Sequence, residues 1–312
     1  MGSKKTIGLI TPSHCLSEPR DRWVRDGIEV LKSWGHQIKV GKYVWTSDRY
    51  GVSAGTVKER VEDLHNIFLD HEVDIVWFSQ GGDTSNELLR EIDFDLIKAN
   101  PKIVIGLSDV TVLLNAILAK TGMITFHGSD PKAVIGEDWY LQNEYTKNEF
   151  HRVILNNIAG PFPELNERKC LRIGKAEGRY VGGNLQCFRK LIGTPYMPEL
   201  EGSILILEGL STNVEESMTL LAHYKTAGVF DKIAGLVIGD FYTFDREGQY
   251  ALNAERVYFE DLVLEATSDF NFPILKARDF GHRLGNTFIP LGRMGYVDAG
   301  KGEWGVSNEI CY

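Results

Sequence analysis

Cysteine is scarce in this chain. Cys15, Cys170, Cys187 and Cys311 lie far apart among 312 residues, and no two form a C-x-x-C pair. That excludes a zinc ribbon or a disulfide framework as the organising device and points to a reducing, cytoplasmic compartment. Positive charge is also short. Lys and Arg number 34 against 43 Asp and Glu, a net charge of −9, and no basic run occurs. Such a chain is a poor polyanion binder, so a nucleic-acid polymer is excluded as main partner, while a nucleotide-sized ligand stays open. No apolar stretch approaches 18 residues, so no membrane span is expected. The run Ile7–Ile10 is too short for the core of a secretory leader. No H-E-x-x-H or H-x-H pair supports a zinc hydrolase.

What is present is an ordinary globular composition, 43% hydrophobic and 25% charged, long enough for two domains or one large one. In the first half, short apolar runs alternate with amphipathic segments. Strands are expected at Ile7–Ile10, Gln37–Val40, Asp74–Phe78, Lys102–Gly106 and Ile124–Phe126. Helices are expected at Arg22–Trp34, Thr56–Asp70, from Thr84 to Arg90, and at Val110–Lys120 with Gly122 as its stop. This alternation implies βαβ units and a mostly parallel sheet, an α/β fold. Such sheets bind ligands at the carboxyl ends of their strands, where the loops Gln80–Asp83 and Leu107–Asp109 fall. A helix at Lys147–Leu155 runs into Gly160-Pro161-Phe162-Pro163, which we take as a linker dividing 1–160 from 161–312. The second half is less regular. It has strands at Ser203–Leu207 and Gly235–Ile238, helices near Glu215–Lys225 and Ala254–Thr267, and a final glycine-rich stretch of strand and turn.

Three places could carry chemistry. Gly106-Leu107-Ser108-Asp109-Val110 delivers a serine from a strand onto a turn that opens a helix, the logic of a nucleophile elbow, with Val110 where the usual pattern has glycine. Ser108 or Asp109 could equally be an N-cap. Gly81-Gly82-Asp83 could offer a backbone N–H to an oxyanion or phosphate, or be a tight turn. Glu208 ends an apolar strand before Gly209 and could orient a partner or sit exposed. Of eight histidines, His36, His65 and His151 read as solvated. His14 and His127 could line a site, and His282, between Gly281 and a further glycine, suits a positioned base.

Together the segments Thr11-Pro12-Ser13, Gly81 to Leu89, Asn100 to Asp109, Glu177 to Leu185, Leu205 to Glu208 and Gly281-His282 resemble the LD-carboxypeptidase family of serine peptidases over nearly the whole chain, nearest its microcin C self-immunity branch. The resemblance implies a flavodoxin- or amidotransferase-like parallel-sheet N-terminal domain and a β-rich C-terminal domain. It implies a Ser108–Glu208–His282 triad, with the backbone N–H groups of Gly82 and Asp109 as oxyanion hole and Ser85 and Asn184 against substrate. It implies a homodimer and hydrolysis through an acyl-enzyme without metal or organic cofactor.

The substrates it implies are small: the L,D bond of a murein tetrapeptide, or an aminoacyl-nucleotide. The self-immunity branch carries a base-stacking tryptophan on an insert ahead of the Glu-Gly-Arg segment. Here Leu155–Lys175 contains none, and the nearest upstream is Trp139. Two other readings compete. One is a non-catalytic binder of an anionic small ligand, which has no need of the three triad residues. The other is a cysteine amidotransferase, whose elbow should carry Cys where this one carries Ser108. Cys187 reads instead as a core residue.

Overall fold

The structure, a computed structural model, describes residues 4–131, 143–210, 213–242, 250–252, 255–282 and 285–307. Trp139 and Cys311 lie outside them. In the first lobe the strands are β1 (Thr6–Ile10), β2 (Gln37–Val40), β3 (Ile75–Phe78), β4 (Ile103–Gly106) and β5 (Thr125–His127). All pair in parallel. β3 and β4 are buried along their whole length. That explains why they read as unbroken apolar runs: helices cover both faces of a parallel sheet.

The helices of this lobe are α1 (Arg20–Ser33), α2 (Val57–Leu69), α3 (Phe94–Ala99) and α4 (Thr111–Thr121). α2 starts at a full capping box, Thr56 with Glu59. α4 ends where Gly122 turns left-handed, φ 75°. Thr84–Arg90 differs from expectation. It holds a single tight turn, Ser85–Leu88, and the helix that follows is α3, capped by Asp93.

The rest of the chain supplies β6 (Gly160–Pro161), β7 (Lys169–Arg172), β8 (Lys175–Asn184), β9 (Ile204–Leu210), β10 (Gly235–Tyr242), β11 (Tyr250–Leu252), β12 (Glu255–Val257), β13 (Ile274–Lys276), β14 (Ile289–Leu291), β15 (Met294–Asp298) and β16 (Glu303–Val306), most of them in the second lobe. The main sheet of that lobe runs β6-β16-β15-β8-β9-β10-β13-β7. The middle, β8-β9-β10-β13, is parallel, and the flanks are antiparallel. The β-rich second half is therefore a mixed sheet with helices Val214–Thr226 and Phe259–Ala266. The expected helix from Ala254 starts only at Phe259, and Glu255–Val257 is β12. β14 does not join this sheet. It returns to the first one and pairs antiparallel with β5.

The lobes meet along α4. Its residues Thr111–Ile117 are all buried, as a helix packed on every side requires. Asn115 inside it donates to the Thr111 and Gly182 carbonyls at 2.8 Å each and accepts from the Gly182 N–H at 3.1 Å. A buried amide satisfied on both ends costs little and fixes the distance between the helix and β8. A Cβ on Gly183 would lie 2.7 Å from Thr111 Oγ1, so glycine there permits the close approach. The helix that opens the elbow is thus locked against the second sheet.

Candidate active site

β4 ends at Gly106, and the chain turns sharply before α4. Ser108 takes φ 69° at that turn, a left-handed conformation that costs a non-glycine residue about 1–3 kcal/mol. Its side chain is half-buried at the rim of a cleft of about 810 Å³, which Gly81, Gly82, Asn184, His282 and Trp23 also line. A Cβ on Gly81 would stand 2.7 Å from Ser108 Cβ and 3.0 Å from the Asp109 nitrogen. The glycine loop after β3 is therefore pressed against the elbow.

Asp109 braces this contact. It is fully buried. Lys190 Nζ donates to its Oδ1 at 2.6 Å and to the Asp83 carbonyl at 2.9 Å. Ser13 Oγ donates to Oδ2 at 2.6 Å, and the Ser85 N–H donates to the same oxygen at 2.8 Å. Ser85 Oγ donates to the Asp109 carbonyl at 2.8 Å. Burial works against ionisation of Asp109. The Lys190 charge and these hydrogen bonds outweigh it and hold the carboxyl below the usual carboxylate range. Arg60, almost fully buried, ties the same loops from below through the Pro12 and Thr84 carbonyls and Glu87.

The second lobe contributes the opposing wall. Glu208 on β9 is fully buried, and its Oε2 lies 2.6 Å from His282 Nδ1. Burial raises the carboxyl's pKa, and the His282 charge and hydrogen bond more than reverse that, leaving it below its ordinary value. The His282 loop is anchored by Asn286, whose Oδ1 accepts from the Gly281 N–H at 2.8 Å and whose Nδ2 donates to the Gly281 carbonyl at 3.0 Å.

His127, at the end of β5, is buried beside the pair, edge-on to Phe280. Desolvation brings its pKa down to about 4, with Glu208 opposing and His282 adding to the fall. It is a neutral imidazole at pH 7.

Several expectations change. Ser85 does not line the cleft: it is fully buried, with both N–H and Oγ spent on Asp109. Asn184 does line it, and its Oδ1 also caps the helix Leu185–Phe188 by accepting from the Cys187 N–H at 3.2 Å. His14 lines the cleft and His127 does not. His36 is buried rather than solvated, its Nδ1 accepting from the Lys5 N–H and its ring edge-on to Phe150. His65 is half-buried and accepts from the Asp93 N–H at 3.0 Å, and His151 is half-buried near Trp34. Cys187 is buried, and desolvation lifts its thiol well above the usual range, which removes it as a nucleophile. Sequence reading missed Lys190 and Arg60, and met Ser13 only as part of the Thr11-Pro12-Ser13 motif, with no role assigned. Lys190 and Arg60 are single polar residues with no signal of their own.

A serine on a strand-to-helix turn and a carboxylate-bonded imidazole line one cleft, which suits a serine-type carboxypeptidase, and the relatives of the chain bear out that class. Residues 7–128 match the LD-carboxypeptidase N-terminal domain and residues 177–297 the LD-carboxypeptidase C-terminal domain. The chain belongs to the LD-carboxypeptidase family.

It is 32% identical over 314 residues to the microcin C7 self-immunity protein MccF of Escherichia coli, covering 92% of this chain and 88% of that one. It is also 32% identical over 288 residues to a probable murein peptide carboxypeptidase of Bacillus subtilis (strain 168), covering 92% and 86%. Among solved structures, MccF in complex with glutamyl sulfamoyl guanosine superposes with a TM-score of 0.89 at 27% identity, over 100% of this chain and 98% of the other. Among the described residues no helix is long and apolar enough to cross a membrane.

Proposed function

We propose that this enzyme hydrolyses a peptide or aminoacyl amide through a Ser108–His282–Glu208 triad and an acyl-enzyme. The observation that carries the reading is the 2.6 Å Glu208–His282 contact opening on the same cleft as the strained Ser108. His282 Nε2 takes the Ser108 proton as Oγ attacks the carbonyl, then gives it to the leaving amine. Glu208 keeps the proton on Nδ1 and stabilises the imidazolium. The N–H groups of Gly82 and Asp109 receive the oxyanion, each contributing about 3 kcal/mol by analogy with measured donors. Water then attacks the ester, with His282 again as base. The two working units are 1–160, carrying the nucleophile, and 161–312, carrying Glu208 and His282. The enzyme acts in the cytosol as a homodimer, which light scattering checks.

Substrates of two kinds are the candidates, after the relatives on each side: a murein tetrapeptide losing its terminal D-alanine, or an aminoacyl-nucleotide. The indole of Trp23 on the cleft wall can stack on a base or cover an apolar side chain. One mass-spectrometric assay separates them. Purified enzyme meets the tetrapeptide together with an aminoacyl sulfamoyl adenosine, beside Ser108→Ala. Released D-alanine marks the first, and a free amino acid from the nucleotide analogue the second. Turnover by Ser108→Ala at the wild-type rate overturns the triad. A non-catalytic binder of anionic ligands predicts no covalent adduct with a serine-directed fluorophosphonate.

A further inference from the structure

We propose that the Lys190–Asp109 ion pair is a positioning device, by which the second lobe holds both oxyanion donors beside Ser108. The proposal rests on the reading of Ser108 as nucleophile. Lys190 Nζ joins two points of the first lobe: Asp109 Oδ1 at 2.6 Å, and the Asp83 carbonyl, one residue beyond Gly82, at 2.9 Å. One ammonium therefore fixes the glycine loop relative to the residue after the serine. The pair is well shielded, with Asp109 fully buried and the Lys190 side chain 19% exposed, so water competes weakly for it.

The other bonds to Asp109 remove its remaining freedom. Ser13 and the Ser85 N–H hold Oδ2, so the carboxylate cannot rotate, and Ser85 Oγ holds the carbonyl. Three hydrogen bonds to its carboxylate and one to its carbonyl hold the backbone whose N–H the proposed mechanism gives to the oxyanion. A pair that merely stabilised the fold could be replaced by apolar side chains of similar volume with no loss of rate. Oxyanion donors are different, because their effect depends on an alignment of a few tenths of an ångström. Lys190 touches no reacting atom and acts through Asp109 and the Asp83 loop. It enters from the segment after β8, so the nucleophile lobe has its donors aligned only when the second lobe is docked.

The test uses the full chain and a fluorophosphonate, whose attack by Ser108 passes through a phosphorus-bound oxyanion and needs no knowledge of the natural substrate. Lys190→Met is expected to label about 100-fold more slowly than wild type, the scale of a misplaced donor. Lys190→Arg, which keeps the charge and donors, should recover most of the rate. Lys190→Met leaves Asp109 buried without its cation, so Lys190→Met/Asp109→Asn is run beside it, and this keeps both N–H groups. A folded double variant that labels as slowly as the single supports the positioning role. A double variant that labels at the wild-type rate overturns it, as does a single variant within about 3-fold of wild type, far short of the loss for a missing donor. A double variant that does not fold makes the pair a folding element and overturns it too. Wild-type enzyme that never labels, like Ser108→Ala, overturns the nucleophile reading itself and this proposal with it.

Discussion

Asp109 and Glu208 flank the cleft from opposite lobes, and both are fully buried carboxylates held below their ordinary pKa. Their surroundings differ. Asp109 receives bonds from a lysine, a serine hydroxyl and a backbone N–H. These donors are an ammonium, a hydroxyl and a backbone N–H, and no imidazole is among them. Glu208 faces His282, the side-chain type whose charge changes most readily near neutrality. The carboxylate to which we give a positioning role is held by three donors. The one to which the proposed mechanism gives a part in proton transfer is paired with a group able to gain and lose a proton.

The comparison can be broken at several points. Ser108→Ala should lower turnover by about 10⁴-fold or more, the scale of a lost triad nucleophile, with an unchanged circular-dichroism spectrum. Glu208→Gln keeps the shape and loses the charge, so kcat should fall about 10³–10⁴-fold through loss of the tautomer and of imidazolium stabilisation. An equal loss in Asp109→Asn, with the product profile unchanged, would erase the distinction between the two carboxylates. Gly81→Ala places a Cβ 2.7 Å from that of Ser108. The elbow or the loop must shift, and kcat should drop about 100-fold with a small change in Tm.

The smallest effect at neutral pH concerns His127. Its folded pKa of about 4 lies below the 6.5 of an unfolded histidine. Above about pH 6.5 both states are neutral and nothing is lost. As pH falls from there to about 4, the unfolded chain takes up a proton that the folded one refuses, so stability drops, by about 3 kcal/mol at most. Urea melts at pH 7 and pH 5 read this out, and His127→Phe should flatten the difference.

Much of the fold was legible in the sequence because the first lobe is a parallel sheet. Fully buried strands such as Ile103–Gly106 leave continuous apolar runs, and capped helices such as Val57–Leu69 leave punctuation. The ten-residue strand Lys175–Asn184 was not legible. Gly178, Gly182 and Gly183 interrupt its apolar pattern, because the neighbouring backbone and α4 pack too closely for side chains there. Ser108, Glu208 and His282 were picked out as candidates through motif order. Only the folded chain shows the last two in contact, 74 positions apart.

The sequence by itself determined the alternation of strand and helix, the glycine loop and the serine turn, because each follows from interactions within a few residues. The tertiary structure decided which polar residues are buried and with whom. Ser85 became a brace rather than a cleft residue, His36 and His127 went into the core, and Lys190 reached Asp109 from the other lobe. The burial and charge partners of a side chain depend on segments far away in the chain, and these set both its pKa and its freedom to move.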